Sequence, residues 1–471
     1  MTVDTFAHHT PRARARWHRL GSLLAAAIAA IVLSACGGSP ARDWRDGPLA
    51  CTEPARKSWL GAYMNDAYYW YRLVPTVDPA AYATTDDYFY ALLSPGGTVD
   101  GVTFPADRWS FSEPTEDYRL FYGEGKILGY GLAVAALELD RNGALPLRVR
   151  YVEPLSPAAT AGLERGDTVL EINGLPASHY VESDDFSALT ASAEGQTVVV
   201  RWRDAQGAER VQSIGAAVYT LTPLAATSTL PTLGGRQLGY VLLKDFIDQA
   251  REPLQTAFTQ FNAQGITEVV LDLRYNGGGL VSAARDVASY VAGPGRTQQD
   301  FARLLFNDRL AASSNQAWQF RDFSFALAAS RVYVLAGPRT CSASELLING
   351  LEPYVEVVVI GDTTCGKPVG FVPESDGCGT TFNAVNFEVT NGLNQGRYWF
   401  GLTPNAGCVV ADDLDHALGN QAEALLAAAL RHADSGQCTA TAGAREQPMA
   451  RAARPLRLKG EGDRPGGLIG R

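Results

Sequence analysis

An α/β fold, α+β over the whole chain, is predicted by two patterns. Between residues 217 and 435, short apolar runs alternate with amphipathic stretches of helical period, and glycine-rich turns close several of the apolar runs. Leu238–Leu243, Val269–Leu273, Val332–Ala336 and Val355–Ile360 read as strands. Leu280–Val291 and Ser342–Leu351 read as helices, and Leu254, Phe258 and Phe261 share one helix face between the first two strands. Near-continuous apolar strands separated by helices imply a largely parallel sheet covered on both faces.

The 471 residues suggest about three domains at ~150 residues each. Hydrophobic residues make up 46% and charged residues 19%, so a large core forms and wholesale disorder is excluded. The net charge of −10 argues against nucleic acid as a partner. Before the α/β region, residues 51–122 read as a small helical domain in which Trp59, Tyr63, Ala67 and Trp70 form a core stripe. Residues 439–471, rich in arginine, proline and glycine and poor in apolar periodicity, read as a disordered tail.

At the N-terminus, Arg12, Arg14, Arg16 and Arg19 precede an apolar run, Leu20–Ala35, that is short for a bilayer span of ~20 residues. It ends in Leu33-Ser34-Ala35-Cys36, which resembles a bacterial lipoprotein signal. That resemblance implies a signal peptide over 1–35, lipidation at Cys36 and a tether over 36–50. It places the protein in the cell envelope, membrane-anchored and facing the periplasm. The lack of an acidic residue after Cys36 favours the outer membrane. In an oxidising compartment the six remaining cysteines, Cys51, Cys341, Cys365, Cys378, Cys408 and Cys438, are expected in disulfides. Sequence leaves their 15 pairings open. Their spacing matches no zinc site, and no metal or cofactor is expected.

Residues 125–215 open with Gly129-Tyr130-Gly131-Leu132 and continue through Ala161-Gly162-Leu163, Arg165-Gly166-Asp167 and Ile172-Asn173-Gly174. In that order these motifs resemble a PDZ domain. The resemblance implies that the amides of the Gly129–Leu132 loop bind a peptide's C-terminal carboxylate while the peptide adds a strand to the sheet.

Three turns in the α/β region carry the candidate chemistry. Asp272-Leu273-Arg274-Tyr275-Asn276-Gly277-Gly278-Gly279 closes a strand with three glycines, whose backbone N–H groups can face an anion. Cys341-Ser342-Ala343-Ser344-Glu345 starts a helix. As an N-cap with glutamate three positions on, Ser342 fits an ordinary capping box, and it also fits a nucleophile placed beside free amides. Gly366-Lys367-Pro368 lies in a third turn. The proline rules out a phosphate-binding loop, which needs serine or threonine after the lysine.

Together the three turns resemble the carboxyl-terminal processing peptidases, or tail-specific proteases. The shared signatures are Asp-Leu-Arg-x-Asn-x-Gly-Gly, Ser-Ala-Ser-Glu and a Gly-Lys turn, with Ser342 and Lys367 separated by 25 residues. The resemblance implies a crotonase-like β-β-α spiral core preceded by the PDZ domain, and a polypeptide as substrate. It assigns Ser342 as nucleophile and Lys367 as general base. The oxyanion hole falls to the amides of Ala343 and of Gly278 or Gly279. The base must be neutral, which burial favours by disfavouring the ammonium. No histidine sits in a Ser–His–Asp pattern, and His416 reads as structural. One departure stands out: many members carry glutamine or glutamate four residues after the lysine, where this chain has Phe371. That leaves open which group orients Lys367, and keeps two other readings in view: a non-catalytic binding protein of the same fold, and a PDZ scaffold.

Overall fold

The computed structural model describes residues 43–438 and 468–470. The expected signal peptide over 1–35, Cys36 and residues 439–467 of the tail lie outside the described residues. Among those described, no helix is long and apolar enough to cross a membrane.

The N-terminal segment contains α1 (Glu53–Ala67) and α2 (Thr85–Ala91), followed by β1 (Phe111–Pro114). Thr84 caps α2 through a complete capping box with Asp87. Trp59, Tyr63, Ala67 and Trp70 are buried as expected, and Trp59 stacks on Tyr63 with ring centroids 5.8 Å apart. This helical segment does not pack on itself alone. The aromatic residues belong to the same apolar cluster as the strands that follow, and β1 pairs with a strand 270 residues further on. A segment this short cannot bury enough surface alone, so its aromatic face covers the larger core. Within the stretch expected as a tether, Trp44 packs on the fold. It donates from Nε1 to Asp66 at 2.7 Å and lies edge-on against Tyr63.

The next unit contains β2 (Lys126–Gly129), β3 (Leu132–Val134), β4 (Leu147–Val152), β5 (Thr168–Ile172), α3 (Ala177–Ser183), β6 (Thr197–Arg203), β7 (Glu209–Gly215) and β8 (Ala217–Thr220). Its sheet runs β7-β6-β5-β4-β3, with β3 at the edge, and it has its own core around Trp202, Phe186 and Val149. β2 and β8 pair antiparallel where the chain enters and leaves the unit.

The α/β region comprises β9 (Leu224–Pro231), β10 (Gln237–Leu243), α4 (Arg251–Ala263), β11 (Glu268–Asp272), β12 (Gly279–Leu280), α5 (Val281–Ala292), β13 (Asp300–Phe306), β14 (Gln316–Gln319), β15 (Arg331–Ala336), α6 (Ala343–Leu351), β16 (Glu356–Gly361), β17 (Val369–Phe371), β18 (Thr380–Asn383), β19 (Val385–Thr390) and α7 (Ala424–Ser435). The main sheet runs β9-β10-β11-β15-β16, and every pair after the first is parallel. Its strands are apolar on both faces. Val241, Val269, Val334 and Val359 face the large core under α4–α6, while Tyr240, Val270, Leu335 and Ile360 face α7.

A second sheet runs β12-β20-β17-β19-β13-β14, where β20 is Leu468–Ile469. The prediction of a disordered tail therefore fails at its far end, because backbone groups at two open strand edges pair with this segment. Disulfides join Cys51 to Cys378, Cys341 to Cys365 and Cys408 to Cys438.

A buried charge network fastens the pieces. Arg274, 3% exposed, donates from Nε and Nη2 to Asp272 at 2.9 and 2.8 Å and from Nη1 and Nη2 to Glu423 at 2.7 and 2.8 Å. Arg274 and Arg165 both reach Asp412, at 3.0 and 2.9 Å. Burial alone would push the Asp412 carboxyl up, but the two guanidinium groups hold it below its ordinary value. Arg165 belongs to the Arg-Gly-Asp motif of the preceding unit. It also donates to the His416 carbonyl at 3.0 Å and the Tyr275 hydroxyl at 2.5 Å, docking that unit on the core. His416 Nδ1 lies 2.7 Å from Asp413, consistent with a structural role.

Candidate active site

Parallel strands β11, β15 and β16 end on the same side of the sheet, so the three turns that follow them converge there. The first is held by Asn276. Its Nδ2 donates to the Leu243 carbonyl at 3.0 Å, and its Oδ1 accepts the Gly278 N–H at 2.8 Å. Its carbonyl accepts the Cys341 N–H and the Ser344 hydroxyl, both at 3.0 Å, which ties the first turn to the second. Gly278 has φ +115°, and a Cβ there would lie 2.8 Å from the Ser342 Cβ and 3.1 Å from the Ala343 nitrogen. Glycine is required because the backbone passes directly against the serine. Gly279 faces elsewhere: its Cβ would meet the Phe246 carbonyl oxygen at 2.2 Å.

The second turn leads from β15 into α6. Thr340 accepts the Gly337 N–H and donates to the Leu273 carbonyl, at 2.9 and 2.8 Å. Ser342 then adopts φ 60° and ψ −111°, a conformation that L-residues other than glycine rarely hold. Its Oγ is buried without a hydrogen-bond partner among the described residues. Only half of the expected capping box therefore holds: the Glu345 carboxylate accepts the Ser342 N–H at 2.9 Å, but the hydroxyl does not cap the helix. As the first residue of α6, Ala343 has no acceptor for its N–H within the helix.

The third turn wraps the same carboxylate. Glu345 accepts the Gly366 and Lys367 N–H groups, each at 2.8 Å, and the Thr364 hydroxyl. Burial wins and holds the Glu345 carboxyl above its ordinary value, although Thr364 and the three amides pull it down. All four partners are donors, so the site is built for the ionised form. The Cys341–Cys365 disulfide bridges the same two turns. Lys367 is 3% exposed, and its Nζ lies over the Phe371 ring, 4.1 Å from the centroid. The ring occupies the place where a polar orienting group was expected.

The structure thus brings Ser342, Ala343, Gly278 and the Lys367 turn together around Glu345. Glu345 is the residue that sequence reasoning undervalued: its position three after Ser342 signalled a cap, but its hold on the lysine turn depends on the fold. Gly129, Tyr130, Gly131 and Leu132 lie instead at the edge of the β3–β7 sheet. There Gly131, at φ +79°, leaves no room for a side chain, since its Cβ would come within 2.0 Å of the Ser156 Cβ. Two trios, Cys341/Glu345/Cys365 and Cys408/His432/Cys438, have ligand-like spacing, but both cysteine pairs are oxidised.

The model of peptidase family S41 matches residues 237–382, which hold all three turns. The family's N-terminal domain matches 55–111, and a PDZ domain matches 148–204. The chain belongs to peptidase family S41. Among curated relatives of this S41 member, the chloroplastic C-terminal processing peptidase of Tetradesmus obliquus is 27% identical over 307 residues, covering 63% of each chain. A carboxyl-terminal-processing protease of Picosynechococcus is 26% identical over 271 residues, covering 56% of this chain and 60% of its own. The chain therefore spans less than two thirds of the length of either relative. A solved structure from Bacteroides fragilis, described as an S41 protease, is 27% identical and superposes with a TM-score of 0.60 over 79% of this chain and 96% of its own.

Replacing the Glu345 carboxylate should unfasten both turns. Glu345→Gln turns one acceptor oxygen into a donor that faces amides. It is expected to cost about 1–3 kcal/mol of stability, read as a lower urea midpoint at unchanged slope. An unchanged midpoint would mean that the carboxylate holds nothing together.

Proposed function

We propose that this protein is an exported, lipid-anchored serine endopeptidase that cuts polypeptides near their C-termini with Ser342 as nucleophile and Lys367 as general base. The observation that carries the reading is the shared carboxylate: Glu345 takes the backbone N–H of both Ser342 and Lys367, at 2.9 and 2.8 Å, so residues 25 positions apart are held in one buried site.

In this mechanism neutral Lys367 takes the Ser342 proton as Oγ attacks the scissile carbonyl. The resulting oxyanion is stabilised by the Ala343 N–H and by an amide of the Gly278–Gly279 turn. The Gly278 N–H bonds to the Asn276 side chain, so it serves only by sharing or exchanging that acceptor. Collapse of the tetrahedral species expels the amine with the proton from Lys367, and water then releases the acyl group by the same steps. Ser342 suits the role, being strained at positive φ with an uncommitted hydroxyl.

One observation favours a second reading, a peptide-binding protein without catalysis. A ring face beneath an amine stabilises its ammonium form, which cannot take a proton. Peptide cleavage by the parent and four variants separates the two. Ser342→Ala should lower turnover on the order of 10⁴-fold or more, and Lys367→Ala nearly as much. Lys367→Arg should fail because guanidinium stays charged. Ser344→Ala removes only the bond to the Asn276 carbonyl and should stay active. Parental turnover should rise with pH as Lys367 loses its proton. If Lys367→Arg keeps full turnover, the lysine is not the base.

The PDZ unit is assigned to the substrate's C-terminus. β3 is the last strand of its sheet, its residues buried against the core, and the Gly129–Leu132 loop precedes it. Amidating a peptide substrate's carboxyl end is expected to raise KM, and equal kinetics for acid and amide would remove this role. Anchoring is assigned to Cys36, with the outer membrane of a bacterial envelope as the location. Cys36→Ala should move the protein from the membrane to the soluble fraction after cell lysis. Unchanged partitioning would exclude the lipid.

A further inference from the structure

The second sheet has a gap one strand wide. β12 (Gly279–Leu280) and β17 (Val369–Phe371) do not pair with each other; each pairs with β20 (Leu468–Ile469), in parallel on both sides. Gly279 lies opposite Leu468, while Leu280 and Phe371 both lie opposite Ile469. Without Leu468–Ile469, two strand edges would face each other about 10 Å apart, twice the ordinary strand spacing.

Both edges belong to the candidate active site. β12 begins one residue after Gly278, which lies against Ser342. β17 begins two residues after Lys367 and ends with Phe371, the ring under the Lys367 amine. The segment in the gap is held as a bound peptide would be. The Gly470 N–H donates to the Phe371 carbonyl at 3.0 Å, and Ile469 is 1% exposed. At the next position, a Cβ on Gly470 would lie 3.0 Å from Phe387 Cε1 and 3.6 Å from Leu304 Cδ2, so any side chain there would press on the buried Phe387 ring. Backbone pairing supplies affinity without regard to sequence, and these two positions supply selectivity.

We propose that the gap between β12 and β17 is a peptide-binding channel beside Ser342, and that the chain's own Leu468–Gly470 segment occupies it in competition with substrate. The channel takes an extended chain with a buried aliphatic residue followed by glycine. The proposal rests on Ser342 marking the active site, and its test is built on binding, so the two readings fail separately.

The probe is a fluorescein-labelled peptide with the sequence of residues 461–471, and its affinity is read by anisotropy on Ser342→Ala protein. A tethered segment competes at an effective concentration in the mM range. Removing residues 461–471 is therefore expected to tighten probe binding about tenfold or more. Ile469→Asp in the otherwise intact chain, which needs no truncation, should free the channel in the same way. A probe carrying aspartate in place of the isoleucine should not bind. In the Ser342 parent, the truncation should lower KM for a peptide substrate and leave kcat nearly unchanged. Equal probe affinity for the intact, truncated and Ile469→Asp chains would overturn the proposal even in an active enzyme. Tighter probe binding to the truncated and Ile469→Asp chains would uphold it even in a protein that cleaves nothing.

Discussion

The site depends on one buried carboxylate. Glu345 is fully enclosed, and its charge is balanced by donors from two turns that follow different strands. A buried charge is costly unless it is well hydrogen-bonded, so the carboxylate stays only while both turns close on it. This coupling sets the position of Ser342 relative to Lys367 more firmly than either turn could alone, and the Cys341–Cys365 bond adds a covalent link between the same segments. The strained backbone of Ser342 persists because its neighbours fix it from both sides: Cys341 through the Asn276 carbonyl, and the serine's own N–H through Glu345.

The sheet makes that convergence inevitable. Parallel strands buried on both faces end on one side, and their connections must leave from that side. The Gly278 turn, the Ser342 turn and the Lys367 turn are the three successive exits. Asn276 and Arg274 give the first exit its shape, Asn276 by tying it to the serine turn and Arg274 by anchoring it to Asp272 and Glu423. Through Asp412 the same network reaches Arg165, so the PDZ unit is docked by a residue of its own motif against a residue set that also braces the active-site turn. The edge of that unit's sheet and the serine turn thus belong to one continuous body.

Much of this was legible in advance because it rests on local patterns. The apolar runs located the four main strands to within a residue or so, since strands buried on both faces carry a continuous apolar signal. The motifs Asp272–Gly279, Cys341–Glu345 and Gly366–Lys367 were visible because glycine, a helix start and a lone lysine each leave a mark at fixed spacing. What was misread lacked such a mark. The aromatic stripe of α1 has helical period whether it packs on its own domain or on another, so the shared core was invisible. Leu468-Ile469-Gly470 is too short and too weakly patterned to announce a strand; its partners are backbone groups, which every residue possesses.

The amino-acid sequence by itself determined the family, the order of units, the parallel α/β core and the identity of the three turns, because each follows from residue type and spacing along the chain. Tertiary structure alone decided three things: which cysteines pair, that Glu345 serves two turns at once, and that the far end of the chain fills a gap beside Ser342. Each of these depends on groups tens to hundreds of residues apart. Their meeting is set by the summed packing of the sheet and its helices, for which no local pattern stands as a sign.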